Sequence, residues 1–338
     1  MLYQLVKTYI KTGLFLFYKE IKETGRENIP SKGPILFLPN HQNGMMDPLI
    51  LATANKSMYF LARASAFKNK LAAKILTKLH LVKIYRKRDG VDSKKLNESI
   101  FDQCLELLNK DKNMLIFPEG SHDIIRKVRT LRAGFTRIAF DFLAANPTKD
   151  IMLIPIGLNY DNTFDYAKSI HVIYGKPISA RSFYNAKDIE KSKNELIEFV
   201  HQKIVSQTVY IDDEKNYETI ISNINGAEFL DPKSTNDNIK KGHYLTKETL
   251  VDKKKRKNIF YYLMALNSIF PMLFWKWLKP KVKMKEFTST AKYSLGLTIF
   301  PVFYFLQTLL IGSLFGSSIA FLYVILCFVL IILSTKTR

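Results

Sequence analysis

Two short clusters hold residues whose types and spacing could do chemistry. The first is NHQNGMMDP, Asn40 to Pro48, directly after the apolar run ILFLP. It sets His41 and Asp47 six positions apart. An imidazole titrates near neutrality and can take a proton from an alcohol. A carboxylate on its other ring nitrogen fixes the tautomer and stabilises the imidazolium that forms. Six residues of regular helix would rotate the two side chains to about 120° apart. Pairing therefore needs an irregular backbone, and Gly44 supplies a residue at ease with positive φ. Taken alone, a His and an Asp at this distance serve structure more often than catalysis.

The second cluster is FPEGSHD, Phe117 to Asp123, which also follows an apolar run. Glu119, Gly120 and Ser121 form its turn, and Arg126, Lys127, Arg129 and Arg132 follow. Basic side chains beside a glycine-bearing loop suit a phosphate monoester, which arginine can grip with two hydrogen bonds. A solvated basic helix start is the bland alternative. A third patch, YRKRDG, brings Arg86, Lys87 and Arg88 after another apolar run. No metal site is expected, because the histidines are few and none has close ligand spacing. There is no GxSxG elbow, and neither Cys104 nor Cys327 lies near a motif.

The elements that must position these residues are short apolar runs alternating with helical patterns. Strands are predicted at 35–39, 58–62, 81–85, 113–118, 151–158 and 170–175. Helices are predicted near 65–79, 93–110, 131–145 and 187–209. That alternation predicts an α/β fold with a mixed, largely buried sheet flanked by helices. Each chemical cluster then falls just past a strand end, where such folds place their sites.

Charge and hydropathy add a setting. The 338-residue chain carries 51 basic and 30 acidic side chains, a net +21. That excess favours an anionic partner: nucleic acid, an acidic membrane surface or a phosphorylated substrate. From Ser294 to Ser334 no residue is charged, and GSLFGSS (Gly312 to Ser318) divides the run. Each half, of about 18 residues, would span about 27 Å as a helix, close to the thickness of a bilayer core. A transmembrane hairpin at 294–334 is expected, with Lys292, Lys336 and Arg338 placing both ends, and the catalytic domain, on the cytoplasmic side. Residues 259–278, with Pro271, Trp275 and Trp277, could span, re-enter or lie in the interface. The preceding KKKRK (Lys253 to Lys257) suits a membrane surface. Leu2, Leu5, Val6, Tyr9, Ile10 and Leu14 recur at helical spacing, predicting an amphipathic, membrane-associated helix within 1–25. Residues 211–257, rich in Asn, Asp and Lys, are expected to be a polar linker or insert. Two cysteines imply no disulfide framework.

Taken together, the motifs resemble the glycerophospholipid acyltransferase family, which includes lysophosphatidate and glycerol-3-phosphate acyltransferases. NHQNGMMD is similar to its first motif, KIYR to its second, FPEGS to its third and LIPIG around Pro155 to its fourth. Three departures stand out. The His–Asp gap is one residue longer than usual, His80 stands near the place of a common glycine, and His122 replaces the usual arginine after the third motif. The resemblance implies a catalytic domain at 26–210 and membrane segments at 258–335. It implies transfer of a fatty acyl group from acyl-CoA or acyl carrier protein, without a cofactor, to the hydroxyl of 1-acyl-sn-glycerol 3-phosphate. Glycerol 3-phosphate or another lyso-lipid is the alternative acceptor, and a non-catalytic membrane adaptor a remote alternative. His41 and Asp47 would be catalytic. Arg86, Glu119, Gly120, Ser121, Arg126, Lys127 and Arg129 would bind substrate. The uncharged tail argues against nucleic acid as the partner of the basic charge.

Overall fold

A computed structural model describes residues 2–54, 57–85, 92–243 and 258–337. The chain opens with helix α1 (Leu2–Phe17) and strand β1 (Glu20–Thr24), followed by β2 (Ile35–Pro39), α2 (Met46–Ala54), β3 (Met58–Arg63), α3 (Lys70–Lys78) and β4 (Leu81–Ile84). Next come α4 (Ser93–Asn109), β5 (Asn113–Leu115), α5 (Gly134–Ala145), β6 (Met152–Tyr160), β7 (Ser169–Tyr174), β8 (Ile178–Ser179) and α6 (Ile189–Val205). Among the described residues the strands form one eight-stranded sheet ordered β1-β7-β6-β2-β5-β3-β4, with β8 pairing β6. β6 runs antiparallel to β7 and β8. β2, β3, β4, β5 and β6 are mutually parallel along their shared edges. The loops that follow β2, β3, β4 and β5 therefore leave from one edge of the sheet, and this is what gathers the motifs.

Burial on both faces explains the apolar runs. In β2 every residue is buried: Ile35 and Phe37 pack with α1 and α2, while Leu36 and Leu38 pack with α4, α5 and α6. The period of two sends alternate side chains to opposite layers. β1 escaped the pattern because it is a polar edge strand, EIKET, paired on one side to β7.

Residues 211–243 are more than the expected polar linker or loose insert. They form α7 (Tyr217–Asn223) and α8 (Pro232–Lys240), and a small core of Ile211, Ile220, Ile224 and Phe229 holds them together with Val209. The apolar residues are too sparse for a periodic signal, yet they converge because the segment packs on the α/β domain: Arg126 donates from its backbone N–H to Tyr217 Oη. The run Lys253 to Lys257 lies outside the described residues.

The tail holds α9 (Ile259–Asn267), α10 (Ile269–Leu278), α11 (Thr288–Phe315) and α12 (Ser317–Lys336). The last two helices are long and apolar enough to cross a membrane. They turn at Gly316, whose φ of 88° suits glycine. Residues 259–278 are a helical hairpin of their own. α9 starts beside the end of α12, where Asn258 Nδ2 donates to Thr337 Oγ1 at 2.6 Å. It runs down to Asn267, which meets Tyr323 Oη at 3.0 Å. α10 then runs back, Phe270 against Phe303 and Trp275 beneath Lys292. Pro271 explains the break, since its ring nitrogen cannot donate to the Asn267 carbonyl. Gln307 Nε2 of α11 takes that carbonyl instead, at 3.2 Å.

The α11–α12 hairpin is rooted at both ends on the α/β domain. Lys292 Nζ donates to Asp165 at 2.6 Å, Ser289 Oγ to the Thr163 carbonyl at 2.5 Å and Lys336 Nζ to the Tyr18 carbonyl at 2.8 Å. α1 wedges between hairpin and domain. Leu14 and Phe17 face the core, Tyr293 Oη donates to the Ile10 carbonyl at 2.7 Å, and Leu2, Leu5 and Tyr9 stay exposed.

Candidate active site

Asn40 shapes the loop that carries the histidine. Its side chain imitates one more strand residue, donating to the Leu158 carbonyl at 3.2 Å and accepting from the Leu158 amide at 2.7 Å. The chain is thus tied to β6 until the residue before His41 and turns sharply after it. Gly44 adopts φ 41°, the irregular backbone that the six-residue spacing requires. His41 Nδ1 lies 2.8 Å from Asp47 Oδ2. The same oxygen accepts the backbone amides of Gln42 and Asn43, each at 2.8 Å. Tyr160 Oη donates to Oδ1 at 2.5 Å. Asp47 is fully buried, while the His41 side chain keeps 13% exposure. An acceptor-only carboxylate requires the proton on Nδ1, which leaves Nε2 as the basic nitrogen. Burial and the Asp47 charge push the Tyr160 phenol well above its ordinary pKa, so it stays a donor.

The loop after β5 closes on this pair from the neighbouring strand. Glu119 Oε1 accepts the His41 backbone amide at 2.9 Å, and Phe117 stacks on the imidazole at 3.9 Å. Gly120 turns the loop with φ 71°. Arg129 Nε donates to Glu119 Oε2 at 2.7 Å, Nη1 to Ser121 Oγ at 2.6 Å, and Nη2 to the Ser121 carbonyl. Burial raises the Glu119 pKa, and Arg129, with the hydrogen bonds to the carboxylate, opposes that.

Three of the expected phosphate ligands are therefore otherwise engaged. Arg129 braces the loop that holds Glu119. Arg126 is buried, donates to the Tyr160 carbonyl at 2.8 Å and covers the Phe229 ring at 3.5 Å, and burial lowers its pKa to about 10. Lys127 pairs with Asp212 and Glu214 at 2.8 and 3.0 Å. The sequence could not reveal these partners, because those of Arg126 and Lys127 lie beyond residue 159. Arg86 lies outside the described residues.

Two residues not among the expected site residues lie close by. Arg63, exposed, ends β3 opposite Ile84 of β4, and its charge helps to lower the His122 pKa. Its position at a strand end was the available signal. His122 packs edge-on to His41 at 5.3 Å and to Phe287 at 5.0 Å. Burial first, then His41 and Arg63, lower its pKa against the pull of Glu286 and Asp47. Its buried Nδ1 has no hydrogen-bond partner among the described residues. Phe287 brings the membrane hairpin into the site. A Cβ on Gly44 would lie 2.9 Å from the Glu286 carbonyl and 3.2 Å from the Phe287 ring. Cys104, by contrast, is fully buried, and burial pushes its thiol up to about 12.

A histidine–carboxylate pair beside a braced glutamate, at the carboxyl edge of a parallel sheet, has the groups needed to take a proton from a hydroxyl. Residues 20–159 match the family model described as Acyltransferase. The chain is 28% identical over 185 residues to the chloroplast 1-acyl-sn-glycerol-3-phosphate acyltransferase of Arabidopsis thaliana, covering 52% of this chain and 48% of that protein. It is 27% identical over 139 residues to the mitochondrial glycerol-3-phosphate acyltransferase 1 of Rattus norvegicus, covering 39% of this chain and 17% of that protein. The chain thus spans less than half the length of these curated relatives. The crystal structure of the 1-acyl-sn-glycerophosphate acyltransferase PlsC from Thermotoga maritima superposes with a TM-score of 0.43 at 18% identity, over 59% of this chain and 78% of that one. The likeness to known acyltransferases is carried by residues 20–159, less than half of the chain. These relatives are acyltransferases of glycerolipid precursors by name, and two helices of this chain, α11 and α12, are long and apolar enough to cross a membrane.

Proposed function

We propose that the chain transfers a fatty acyl group from acyl-CoA or acyl carrier protein to the free hydroxyl of 1-acyl-sn-glycerol 3-phosphate, at the cytoplasmic face of a membrane. The observation that carries this reading is the His41–Asp47 pair, 2.8 Å apart, beside the Glu119 loop and against the root of the apolar hairpin. His41 Nε2 takes the hydroxyl proton as the oxygen attacks the thioester carbonyl. Asp47 stabilises the imidazolium. The tetrahedral intermediate collapses by breaking the carbon–sulfur bond, and the imidazolium returns its proton to the thiolate. Transfer is direct and needs no cofactor; the buried Cys104 thiol supports the absence of a cysteine acyl-enzyme.

Glu119 orients the histidine loop through the His41 amide, and Arg129 and Ser121 hold Glu119 in place. Arg63, at the end of β3, and Arg86, two residues past β4 in the sequence, carry the acceptor phosphate. The amides of Gln42 and Asn43 serve Asp47, so the oxyanion must find its donors elsewhere. The orphaned His122 Nδ1 offers an acceptor for a substrate hydroxyl. That favours glycerol 3-phosphate as the second acceptor to test, since it has one hydroxyl more than its acylated form.

The experiment gives purified protein, reconstituted in phosphatidylcholine vesicles, a labelled acyl thioester with 1-acyl-sn-glycerol 3-phosphate, glycerol 3-phosphate or a lysophosphatidylcholine. Products are identified by mass. Diacylglycerol phosphate as the main product is the expected result. Turnover with glycerol 3-phosphate alone would move the assignment to the earlier acylation, and transfer to none of the three would end it.

A further inference from the structure

The outer side of α3 is an exposed surface that the site does not use. This helix has no buried residue among those described, and Leu71 and Ile75 are 68% and 44% exposed. Residues four apart lie about 40° apart around a helix, so these two form one apolar strip. Lys70, Lys74 and Lys78 are exposed and follow the same four-residue step, which sets a lysine stripe directly beside that strip. An apolar strip bordered by lysines matches a bilayer interface, where the alkyl groups enter the acyl boundary and the ammonium groups reach anionic headgroups.

The position of α3 supports the same partner. His80, just past α3, takes φ 66°, the left-handed backbone that glycine favours. Its ring lies between Tyr3 of α1 at 4.4 Å and Tyr59 of β3 at 4.5 Å, both stacked. The first turn of α1 is thereby held against the end of α3. Further along, α1 packs on α11 just where its uncharged run begins: Tyr9 Oη donates to the Leu297 carbonyl and Gly13 lies against Leu297. The exposed Leu2, Leu5 and Tyr9 of α1 thus extend from the membrane hairpin toward α3.

We propose that α3 is a second membrane-docking element, which lays Leu71 and Ile75 into the interface of an anionic bilayer while its lysines hold the headgroups. The inference rests on the reading that α11 and α12 cross that bilayer. With α1 between them, α3 and the hairpin press one side of the catalytic domain onto the lipid, and Arg63 at the end of β3 stands at its edge. A lipid acceptor then needs to rise only a short way to reach the site.

The test uses full-length protein carrying single cysteines at Leu71→Cys, Ile75→Cys, Lys187→Cys or Leu309→Cys, each labelled with an environment-sensitive fluorophore. Cys104 and Cys327, 0% and 2% exposed, leave the introduced thiol as the reactive one. Vesicles contain phosphatidylcholine alone or mixed with phosphatidylglycerol, with a shallow or a deep lipid-borne quencher. The expected result is several-fold stronger shallow quenching at positions 71 and 75 than at 187, protected from iodide and greater with phosphatidylglycerol. Lys70→Gln, Lys74→Gln and Lys78→Gln together should remove the phosphatidylglycerol increment. Deep quenching at 309 with water-like behaviour at 71 and 75 overturns the proposal, as does a disulfide between the 71 positions of two copies. Absence of deep quenching at 309 would overturn the membrane reading beneath it.

Discussion

Replacing Asp47 by asparagine isolates one physical quantity, the negative charge that faces the imidazole. The side chain keeps its shape, and its amide oxygen can still accept the Gln42 and Asn43 amides that now reach Oδ2 at 2.8 Å. Tyr160 Oη, 2.5 Å from Oδ1, can rotate to accept from the new amide nitrogen. Folding should therefore survive. What disappears is the attraction that develops when His41 takes the hydroxyl proton. Unit charges about 4 Å apart attract by about 4 kcal/mol at an effective dielectric of about 20. At about 1.4 kcal/mol per tenfold in rate, kcat should fall about 10³-fold. KM should change little, because the charge acts on the imidazolium rather than on bound substrate. The assay is the initial rate of labelled acyl transfer at saturating thioester and acceptor in vesicles, beside a thermal melt of the same protein. A folded Asp47→Asn variant within tenfold of the parent rate would refute the general-base argument.

Three further outcomes follow from the same contacts. Glu119 has a raised folded pKa, so the native state holds its proton more tightly than the unfolded chain. Stability should decline as pH rises from the ordinary carboxylate value through the raised one. Glu119→Gln should flatten that part of the curve of melting temperature against pH, and an unchanged slope would count against it. Arg126→Ala should lower stability by about 3 kcal/mol, measured by denaturant melts, because the buried Tyr160 carbonyl and the Phe229 ring lose their partner. The KM for the phosphorylated acceptor should hold in that variant, whereas Arg63→Ala should raise it about tenfold; the reverse ranking would return the phosphate to Arg126. Gly44→Ala should cost about 2 kcal/mol and lower kcat, since a Cβ at φ 41° meets the Glu286 carbonyl at 2.9 Å. Wild-type melting and turnover together would show that this contact matters little.

Much of the fold could be read in advance because its signals are local. β2 was expected at 35–39 and lies there, and β3, β4, β6 and β7 lie within a residue or two of their expected bounds. Continuous apolar runs mark strands buried on both faces. The two long apolar helices were legible for a like reason, as an unbroken uncharged length, although α11 begins six residues earlier, at Thr288, in its root on the domain. The turn between α9 and α10 was not legible. Pro271 marks a break, but the direction after it depends on Gln307, Tyr304 and Tyr323 of other helices.

By itself the sequence determined which chemical groups are available and which strand end presents each, because strand period, glycine turns and charge-free lengths act between near neighbours. Tertiary structure decided what those groups do. It joined His41 to Asp47 through a φ of 41° at Gly44, turned Arg129 from anion ligand to brace, sank Arg126 onto Phe229, and set Phe287 of the hairpin root against His122. The physical reason is that a side chain's charge is fixed by its type, but its partner is fixed by whichever distant segment the packing brings within about 3 Å of it.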